Sequence, residues 1–349
     1  MSAAANCWFS HGQVTVLGTG AALPGPSLTT EALIDRLHQR FGFSRRREAS
    51  AVAHRLGIEA RHVCRDFDAA HEPARNGDTN PDLVARAVHQ ALDAAGLTPK
   101  DVGYLIGHTT TPVQPLPGNI ALAADRLGYA GPHLELRQAC TGFANALMIA
   151  FGLLAAPGAR PVVLVGSETG SLFFDPLRAE ADGGQLVNMV QMGDAAAAIV
   201  LAPAGAGQAT IASAWFGSVG LGAAPGIQID RDRPHEFAHD FTAIQANGSR
   251  LFEAGHAAAQ AQGIAIDAVD RIIPHQVSGR IGARVAQHFG LPVERFFGNA
   301  ATVGNTGSAA IWLALDALRR ERPPIGGTTL VLGAEASKHM HGGFVYSHG

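Results

Sequence analysis

The chain has 349 residues, of which 47% are hydrophobic and 16% charged, and its formal net charge is −3. This composition is typical of a folded globular protein and excludes an intrinsically disordered chain. No basic excess predicts nucleic acid as a partner, and no run of lysine and arginine predicts a membrane-surface patch. The N-terminal residues lack the basic and apolar regions of a signal peptide, so we expect a soluble, cytoplasmic protein.

Short apolar segments rich in β-branched residues predict strands, and helical patterns separate them. In chain order, the predicted strands cover residues 14–20, 102–108, 161–168, 196–203, 209–216, 270–276 and 328–335. A helical segment at 31–57 follows the first strand, and the segment at 80–97 begins with Asn-Pro and has apolar residues at helical spacing. Strands that alternate with helices favour a layered α/β fold with buried sheets.

The chain also carries an internal repeat. The aligned pairs are 93–108 with 260–275, 139–154 with 304–319, and Gly166 with Gly333. These three blocks keep an offset of 165 to 167 residues without forced gaps. Self-similarity of this kind predicts one fold built from two similar halves, 12–205 and 206–349.

The repeat makes particular residues equivalent. It aligns His108 with His275, and Cys140 with Asn305, and the last two are each followed by Thr-Gly at the start of a predicted helix. If the two halves pack around a pseudo-twofold axis, these strand ends and helix starts converge in one central site. Ligand sites in α/β folds favour such strand ends.

Cys140 is the first candidate for chemistry. The three cysteines form neither a disulfide framework nor a zinc-binding spacing. Cys140 lies between a strand-like segment and an apolar helix, whose N-terminus is expected to lower the pKa of the thiol. A thiolate there can attack a thioester and hold the acyl group covalently. A buried structural cysteine is the alternative, and Cys7 and Cys64 keep that interpretation.

His275 and Asn305 are the second and third candidates. His275 ends a predicted strand, where a neutral imidazole can donate one N–H or move a proton. Asn305 can donate its amide N–H to an oxygen that develops negative charge. A buried structural histidine and a helix-capping asparagine are the alternatives. The glycine-rich segments lack the spacing of dinucleotide or ATP loops, so we expect no permanently bound cofactor. Because the cysteines also lack a zinc-binding spacing, we expect no metal site.

Together these segments resemble the thiolase superfamily, and most closely the β-ketoacyl-acyl-carrier-protein synthase III family. The motifs that carry the resemblance are LGTGAALP (17–24), LGIEARH (56–62), QACTGF (138–143), MGDAAAAIVL (192–201), IIPHQ (272–276) and GNTGSAA (304–310). They occur in family order across nearly the whole chain. The resemblance implies an α/β fold of two similar βαβαβ-type halves, arranged in five α-β-α-β-α layers.

The resemblance also implies a reaction. Cys140 would accept the acyl group, and His275 with Asn305 would bind the thioester carbonyl of a malonyl unit. Loss of CO₂ from that unit gives an enolate that attacks the acyl-cysteine. The backbone N–H groups of Cys140 and Gly343 would form an oxyanion hole.

Binding partners follow from the resemblance as well. It implies that Arg55, Gly248, Phe252 and Ser278 contact coenzyme A or phosphopantetheine, and that Arg280 faces an acyl carrier protein. The substrates would be an acyl thioester, on coenzyme A or on a carrier protein, and a malonyl thioester. The family is homodimeric, and the segment at 112–118 would enter the partner's acyl pocket.

Departures from the family pattern keep alternatives open. Ala51 occupies the place of the usual tryptophan that stacks on adenine, Ser278 replaces an asparagine, and the nucleophile lies in QACTG. These changes fit a specialised metabolite or pigment synthase as well as a fatty acid synthase. An acyltransferase that moves the acyl group to a hydroxyl or amine is the main alternative. A non-catalytic subunit, a degradative thiolase and a papain-like protease are disfavoured by the residues present.

Overall fold

The computed structural model describes residues 7–69, 75, 77–205 and 208–349. The described strands are β1 (Cys7–Phe9), β2 (Gln13–Ala22), β3 (Leu28–Thr29), β4 (Ala60–Arg61), β5 (Tyr104–His108), β6 (His133–Leu136), β7 (Val162–Thr169), β8 (Asp194–Pro203), β9 (Thr210–Ser218), β10 (Ile227–Ile229), β11 (Phe237–His239), β12 (Arg271–Pro274), β13 (Thr328–Glu335) and β14 (Met340–Ser347). The described α-helices are α1 (Thr30–Phe41), α2 (Arg46–Leu56), α3 (Asn80–Ala95), α4 (Asn119–Leu127), α5 (Gly142–Leu154), α6 (Gly183–Gln191), α7 (Phe241–Ala261), α8 (Ile281–Phe289), α9 (Ala300–Val303) and α10 (Ala310–Arg320).

A mixed ten-stranded sheet passes through both halves of the chain. Its order is β12-β13-β14-β9-β2-β8-β7-β5-β6, and β1 pairs with β9. β2 pairs with β8 along most of its length, whereas only residues 13–15 of β2 reach β9. This short ladder joins an N-terminal part of five strands to a C-terminal part.

The two parts of the sheet repeat one strand order and one set of directions. In the N-terminal part, β5 pairs with β7 in parallel, and β7–β8 and β8–β2 are antiparallel. In the C-terminal part, β12 pairs with β13 in parallel, and β13–β14 and β14–β9 are antiparallel. The predicted fold class is therefore confirmed. The boundary between residues 205 and 206 stays a prediction, and residue 206 lies outside the described residues.

Helices form the layers on either side of the sheet parts. α5 and α10 lie between the two parts, and their apolar residues share one core with strands from both. α3 covers the outer face of β2, β7 and β8, while α7 covers β13 and β14. The sequence of α5 is apolar on nearly all sides because sheets contact it from both directions.

Local signals explain where elements begin and end. α3 begins with a capping box between Thr79 and Asp82, carries a proline in its first turn, and ends at Gly96 with a φ of +67°. The predicted helical segment at 31–57 forms α1 and α2, which pack with α6 beside the sheet. Among the described helices, none is long and apolar enough to cross a membrane.

The seven predicted strands correspond to β2, β5, β7, β8, β9, β12 and β13. β14 was not among them because its sequence, MHGGFVYS, has a histidine and two glycines in its first half. Tertiary packing explains these glycines. A Cβ at Gly342 would lie 2.4 Å from the Cβ of Ala144, and one at Gly343 would lie 2.2 Å from the Val331 oxygen. β14 therefore needs these glycines to fit between its neighbours.

Candidate active site

Cys140 lies in the turn between β6 and α5. The backbone N–H of Gly142 donates to the Ala139 oxygen at 2.9 Å, which closes a tight turn around the cysteine. The next residue, Thr141, donates both its backbone N–H and its hydroxyl to Glu335, at 2.9 and 2.6 Å. The backbone next to Cys140 is therefore held by a carboxylate from the other half of the chain.

The electrostatics of Cys140 correct one expectation. Burial raises the pKa of the Cys140 thiol well above its usual value, and the charges of Glu335 and Glu168 raise it further. The sequence predicted a lowered pKa from the helix N-terminus, and that prediction is wrong for the resting site. Loss of hydration and two nearby carboxylates outweigh the helix dipole, so the resting side chain is a neutral thiol.

His275 follows β12 directly. Its backbone N–H donates to the Leu332 oxygen at 2.8 Å, which extends the β12–β13 pairing by one residue. The side chain is buried, and burial lowers its pKa to about 4. Within the described part of the chain, its Nδ1 atom has no hydrogen-bond partner. A neutral imidazole with an unused ring nitrogen can donate or accept one proton at neutral pH.

Asn305 lies in a backbone-fixed turn before α10. Its N–H donates to the Gln191 oxygen at 2.8 Å, and its oxygen accepts the Gly193 N–H at 3.1 Å. Its side-chain Oδ1 accepts the backbone N–H of Gly307 at 3.1 Å. Because Oδ1 is occupied in this way, the NH₂ group is left to donate to another acceptor. The capping alternative is thus compatible with the donor role.

Two hydrogen bonds bring the segments of these three residues together. The Ser308 hydroxyl donates to the Gln138 oxygen at 3.2 Å, which joins the Asn305 turn to the Cys140 turn. The Gln191 side chain donates to the Val277 oxygen at 2.7 Å. Gln191 also accepts the Asn305 backbone N–H, so the loop after His275 adjoins the same turn. The sequence repeat predicted this convergence.

Comparisons with known proteins agree with this geometry. Residues 134–220 match the family model described as 3-oxoacyl-[acyl-carrier-protein] synthase III. Residues 259–345 match the model described as the C-terminal part of the same synthase. A relative from Streptomyces coelicolor, beta-ketoacyl-[acyl-carrier-protein] synthase III 3, is 32% identical over 75% of this chain and 78% of its own. The chain belongs to the β-ketoacyl-[acyl-carrier-protein] synthase III family. The synthase III of Thiobacillus denitrificans is 28% identical over 88% of this chain and 90% of its own.

Solved structures of the synthase III family place the fold in the thiolase superfamily. A structure titled AbyA1, tetronic acid condensing enzyme, superposes with a TM-score of 0.83 at 30% identity, over 96% of this chain and 99% of its own. The Pseudomonas aeruginosa synthase III gives a TM-score of 0.79 at 27% identity, over 97% of this chain and 98% of its own. The chain therefore shares its fold, over nearly its whole length, with a synthase III and with a tetronic acid condensing enzyme.

The residues predicted to bind the substrate arm and the carrier protein occupy two regions of the chain. Arg55 is exposed near the end of α2, and the Arg280 Nε donates to the His54 oxygen at 3.1 Å. Arg280 thus contacts the residue before Arg55, whereas Ser278 is buried just before α8. On α7, a Cβ at Gly248 would meet no atom within 4 Å. The roles of these residues stay predictions.

Gly343, for which the resemblance implies a backbone role in an oxyanion hole, lies in a strand. It lies within β14, opposite Leu332 of β13 and Trp215 of β9. Its environment explains why it is glycine, since a Cβ there would lie 2.3 Å from the Trp215 ring. The geometry gives Gly343 a packing role in the synthase III sheet, and its oxyanion role stays a prediction.

Glu168 and Glu335 are the buried residues that sequence reasoning missed. They end β7 and β13, and the repeat aligns them at an offset of 167, the same as for Gly166 and Gly333. Glu168 accepts the Ser308 hydroxyl at 2.5 Å, and Glu335 binds Thr141. A charged residue at the same place in both halves, after an apolar strand, was the signal available in the sequence.

Proposed function

We propose that this synthase III transfers an acyl group to Cys140 and condenses it with an enolate formed from a malonyl thioester. The observation that carries the proposal is the convergence of the Cys140, His275 and Asn305 segments, in which Asn305 is fixed so that its NH₂ group is free to donate. Similarity to synthase III relatives and to a tetronic acid condensing enzyme supports carbon–carbon bond formation as the shared chemistry.

Acyl transfer is the first half-reaction. The Cys140 sulfur attacks the thioester carbonyl, its S–C bond forms, and the donor's C–S bond breaks. Because the resting Cys140 is a thiol, its proton must leave as the bond forms. Neutral His275 can accept that proton and pass it to the departing thiolate. The Cys140 backbone N–H is proposed as one donor to the developing oxyanion.

Condensation is the second half-reaction. The bond between the malonyl methylene and its carboxylate breaks, CO₂ leaves, and the electron pair passes into an enolate. His275 and the Asn305 amide each donate a hydrogen bond to the enolate oxygen. The enolate carbon then attacks the acyl carbon, the C–S bond to Cys140 breaks, and a 3-oxoacyl thioester is released. Cys140 leaves as a thiolate and takes one proton from solvent to return to the resting thiol. Two thioesters suffice for these steps, so we propose no permanently bound cofactor.

Partners follow from the same proposal. We propose that an acyl carrier protein delivers the malonyl unit along the exposed arginines Arg55 and Arg280, because carrier proteins present a charged surface to their enzymes. We further propose a homodimer in which residues 112–118 reach the partner. Leu116 is 86% exposed in the single chain, and a contact with a second copy would remove this apolar side chain from water.

Intact-protein mass spectrometry tests the proposal. Wild-type protein incubated with a panel of acyl-coenzyme A and acyl-carrier donors is expected to gain one acyl mass, which identifies the primer. Cys140→Ala should gain none, whereas the matched control Cys7→Ser should be acylated normally. Malonyl-carrier protein should then release CO₂ and restore the unmodified mass. Acylation of Cys140→Ala would rule out the proposed nucleophile, and an acyl-enzyme that never releases CO₂ would favour the simple acyltransferase.

A further inference from the structure

Glu335 lies behind the turn that carries Cys140. Its Oε2 accepts the Thr141 backbone N–H and hydroxyl at 2.9 and 2.6 Å, and its Oε1 accepts the Ser337 hydroxyl. Glu335 is only 2% exposed, and Thr141 is fully buried. Glutamate is rarely buried to this degree unless specific partners hold it. The Thr141–Glu335 pair therefore fixes the backbone adjacent to the nucleophile.

The proposed mechanism gives Glu335 no step, yet its position affects the nucleophile. The Thr141 N–H lies at the positive end of α5, where an anion is stabilised. Because Glu335 occupies this position, a fixed negative charge offsets the helix field that otherwise favours a thiolate. Glu335 therefore affects the Cys140 turn in two ways. Its hydrogen bonds hold Thr141 in place, and its negative charge opposes ionisation of the Cys140 thiol.

The other ionisable groups around the Cys140 turn can be named. Glu168 acts on it from β7 and His108 adjoins it from β5, and His275 follows β12 in the adjacent half of the site. Burial lowers the pKa of His108 to about 3 and that of His275 to about 4, so both rings are neutral near pH 7. Glu168 is shared with Ser308 at the other helix start. Glu335 bonds to Thr141, the residue that follows Cys140.

We propose that Glu335 is a positioning residue, which orients the Cys140 turn through Thr141 and places a negative charge beside the resting thiol. This inference rests on the proposed role of Cys140 as nucleophile. It predicts that removal of the charge makes the Cys140 thiol easier to ionise. It also predicts that removal of the Thr141 hydroxyl disturbs the turn without that effect.

The pH dependence of iodoacetamide alkylation tests the charge. Peptide mass mapping separates alkylation of Cys140 from that of the other two cysteines. In Glu335→Gln, the rate profile should move to lower pH, and the rate at pH 8 should rise about tenfold, because one nearby charge shifts a pKa by roughly one unit or more. Glu335→Asp keeps the charge and should remain as slow as wild type. Glu168→Gln should shift the profile in the same direction by less.

Thr141→Val tests the positioning role and covers the case in which Glu335→Gln does not fold. It should leave the alkylation profile unchanged and slow thioester acylation of Cys140 about tenfold or more. An unmoved profile in folded Glu335→Gln, or wild-type acylation in Thr141→Val, would overturn the inference. Alkylation needs no thioester, so the alkylation outcomes are separate from the proposed function. A wild-type protein that no thioester acylates would remove the function and leave the alkylation result standing.

Discussion

The two halves of the chain contribute similar short motifs to one site, but the first residue of the motif differs between them. In the N-terminal half, residues 140–142 read Cys-Thr-Gly, and in the C-terminal half, residues 305–307 read Asn-Thr-Gly. A buried glutamate from the opposite half lies against each turn: Glu335 bonds to Thr141, and Glu168 bonds to Ser308. The comparison shows that similar turns carry a thiol in the N-terminal half and a side-chain amide in the C-terminal half.

The two histidines that the repeat aligns, His108 and His275, differ in their surroundings. The Trp312 Nε1 donates to the His108 Nε2 at 3.2 Å, and a Cβ at Gly142 would lie 2.5 Å from the His108 Nδ1. His108 is therefore enclosed on the N-terminal side of the site. Both histidines have an Nδ1 atom without a hydrogen-bond partner among the described residues, and the Trp312 bond to Nε2 distinguishes His108. This bond ties His108 to the core, whereas the chemistry is proposed for His275.

The largest expected difference separates these two histidines. His275→Ala should lower the condensation rate about 10²–10³-fold, the usual effect of removing one donor to an oxyanion, with little change in thermal stability. His108→Ala should instead reduce the free energy of unfolding by about 1–3 kcal/mol, because the Trp312 N–H loses its acceptor. Steady-state CO₂ release and chemical denaturation measure the two effects. If His275→Ala and His108→Ala lost equal activity and had equal stability, the proposed difference between the two histidines would be wrong.

Asn305 provides the next test. Asn305→Asp keeps an Oδ1 atom for the Gly307 N–H but removes the NH₂ donor and adds a negative charge. Decarboxylation should fall about 10–100-fold, while acylation of Cys140 persists. Asn305→Ala, which also loses the turn contact, serves as the matched variant. Parallel assays of CO₂ release and acyl-enzyme mass measure both steps. Full decarboxylation by Asn305→Asp would show that the C-terminal turn is only structural.

A third test concerns a buried histidine without an N-terminal counterpart. In the strand pairing, His341 faces Ala334, and the equivalent pair in the other half is Ala196 with Ser167. Burial lowers the pKa of His341 to about 4, and both ring nitrogens lack partners among the described residues. The folded protein thus binds fewer protons than the unfolded chain between about pH 4 and 6.5. Stability present above pH 6.5 is lost as the pH falls through this window.

His341→Leu should remove this dependence. Near pH 5, the wild type should lose on the order of 2 kcal/mol of unfolding free energy relative to pH 7 from this residue. The leucine variant should lose correspondingly less unfolding free energy, because β14 would then have an apolar residue at this place, as β8 does. Urea denaturation at pH 7 and pH 5 measures the difference. Identical pH dependence in the two proteins would contradict a neutral, buried His341.

The smallest effect is expected at the exposed arginines Arg55 and Arg280, near the surface contact between Arg280 and His54. Arg280→Ala and Arg55→Ala should raise the KM for malonyl-carrier protein about three- to tenfold at low salt and leave kcat nearly unchanged. The effect should shrink as salt increases. Arg126→Ala, on the outer layer of α3 and α4, is the matched control. A similar rise in KM for Arg126→Ala would show a non-specific charge effect.

Much of the fold was predictable from the sequence. Alternating strand and helix patterns gave seven buried strands, and the internal repeat gave the two-half arrangement. The repeat also aligned Cys140 with Asn305, whose segments the structure brings together. β14 was missed because its glycines and histidine are dictated by neighbouring layers, which a local pattern does not contain. Gly343 lies within that strand.

The sequence by itself determined the order of elements, the repeat and the identity of the candidate nucleophile and donors, because these depend on local patterns and motifs. Only the tertiary structure decided the environment of each group. Thr141 and Glu335 are 194 residues apart, and Ser308 and Glu168 are 140 apart. The direction of the Cys140 pKa reversed the prediction, because burial and distant carboxylates act through space and outweigh the adjacent helix.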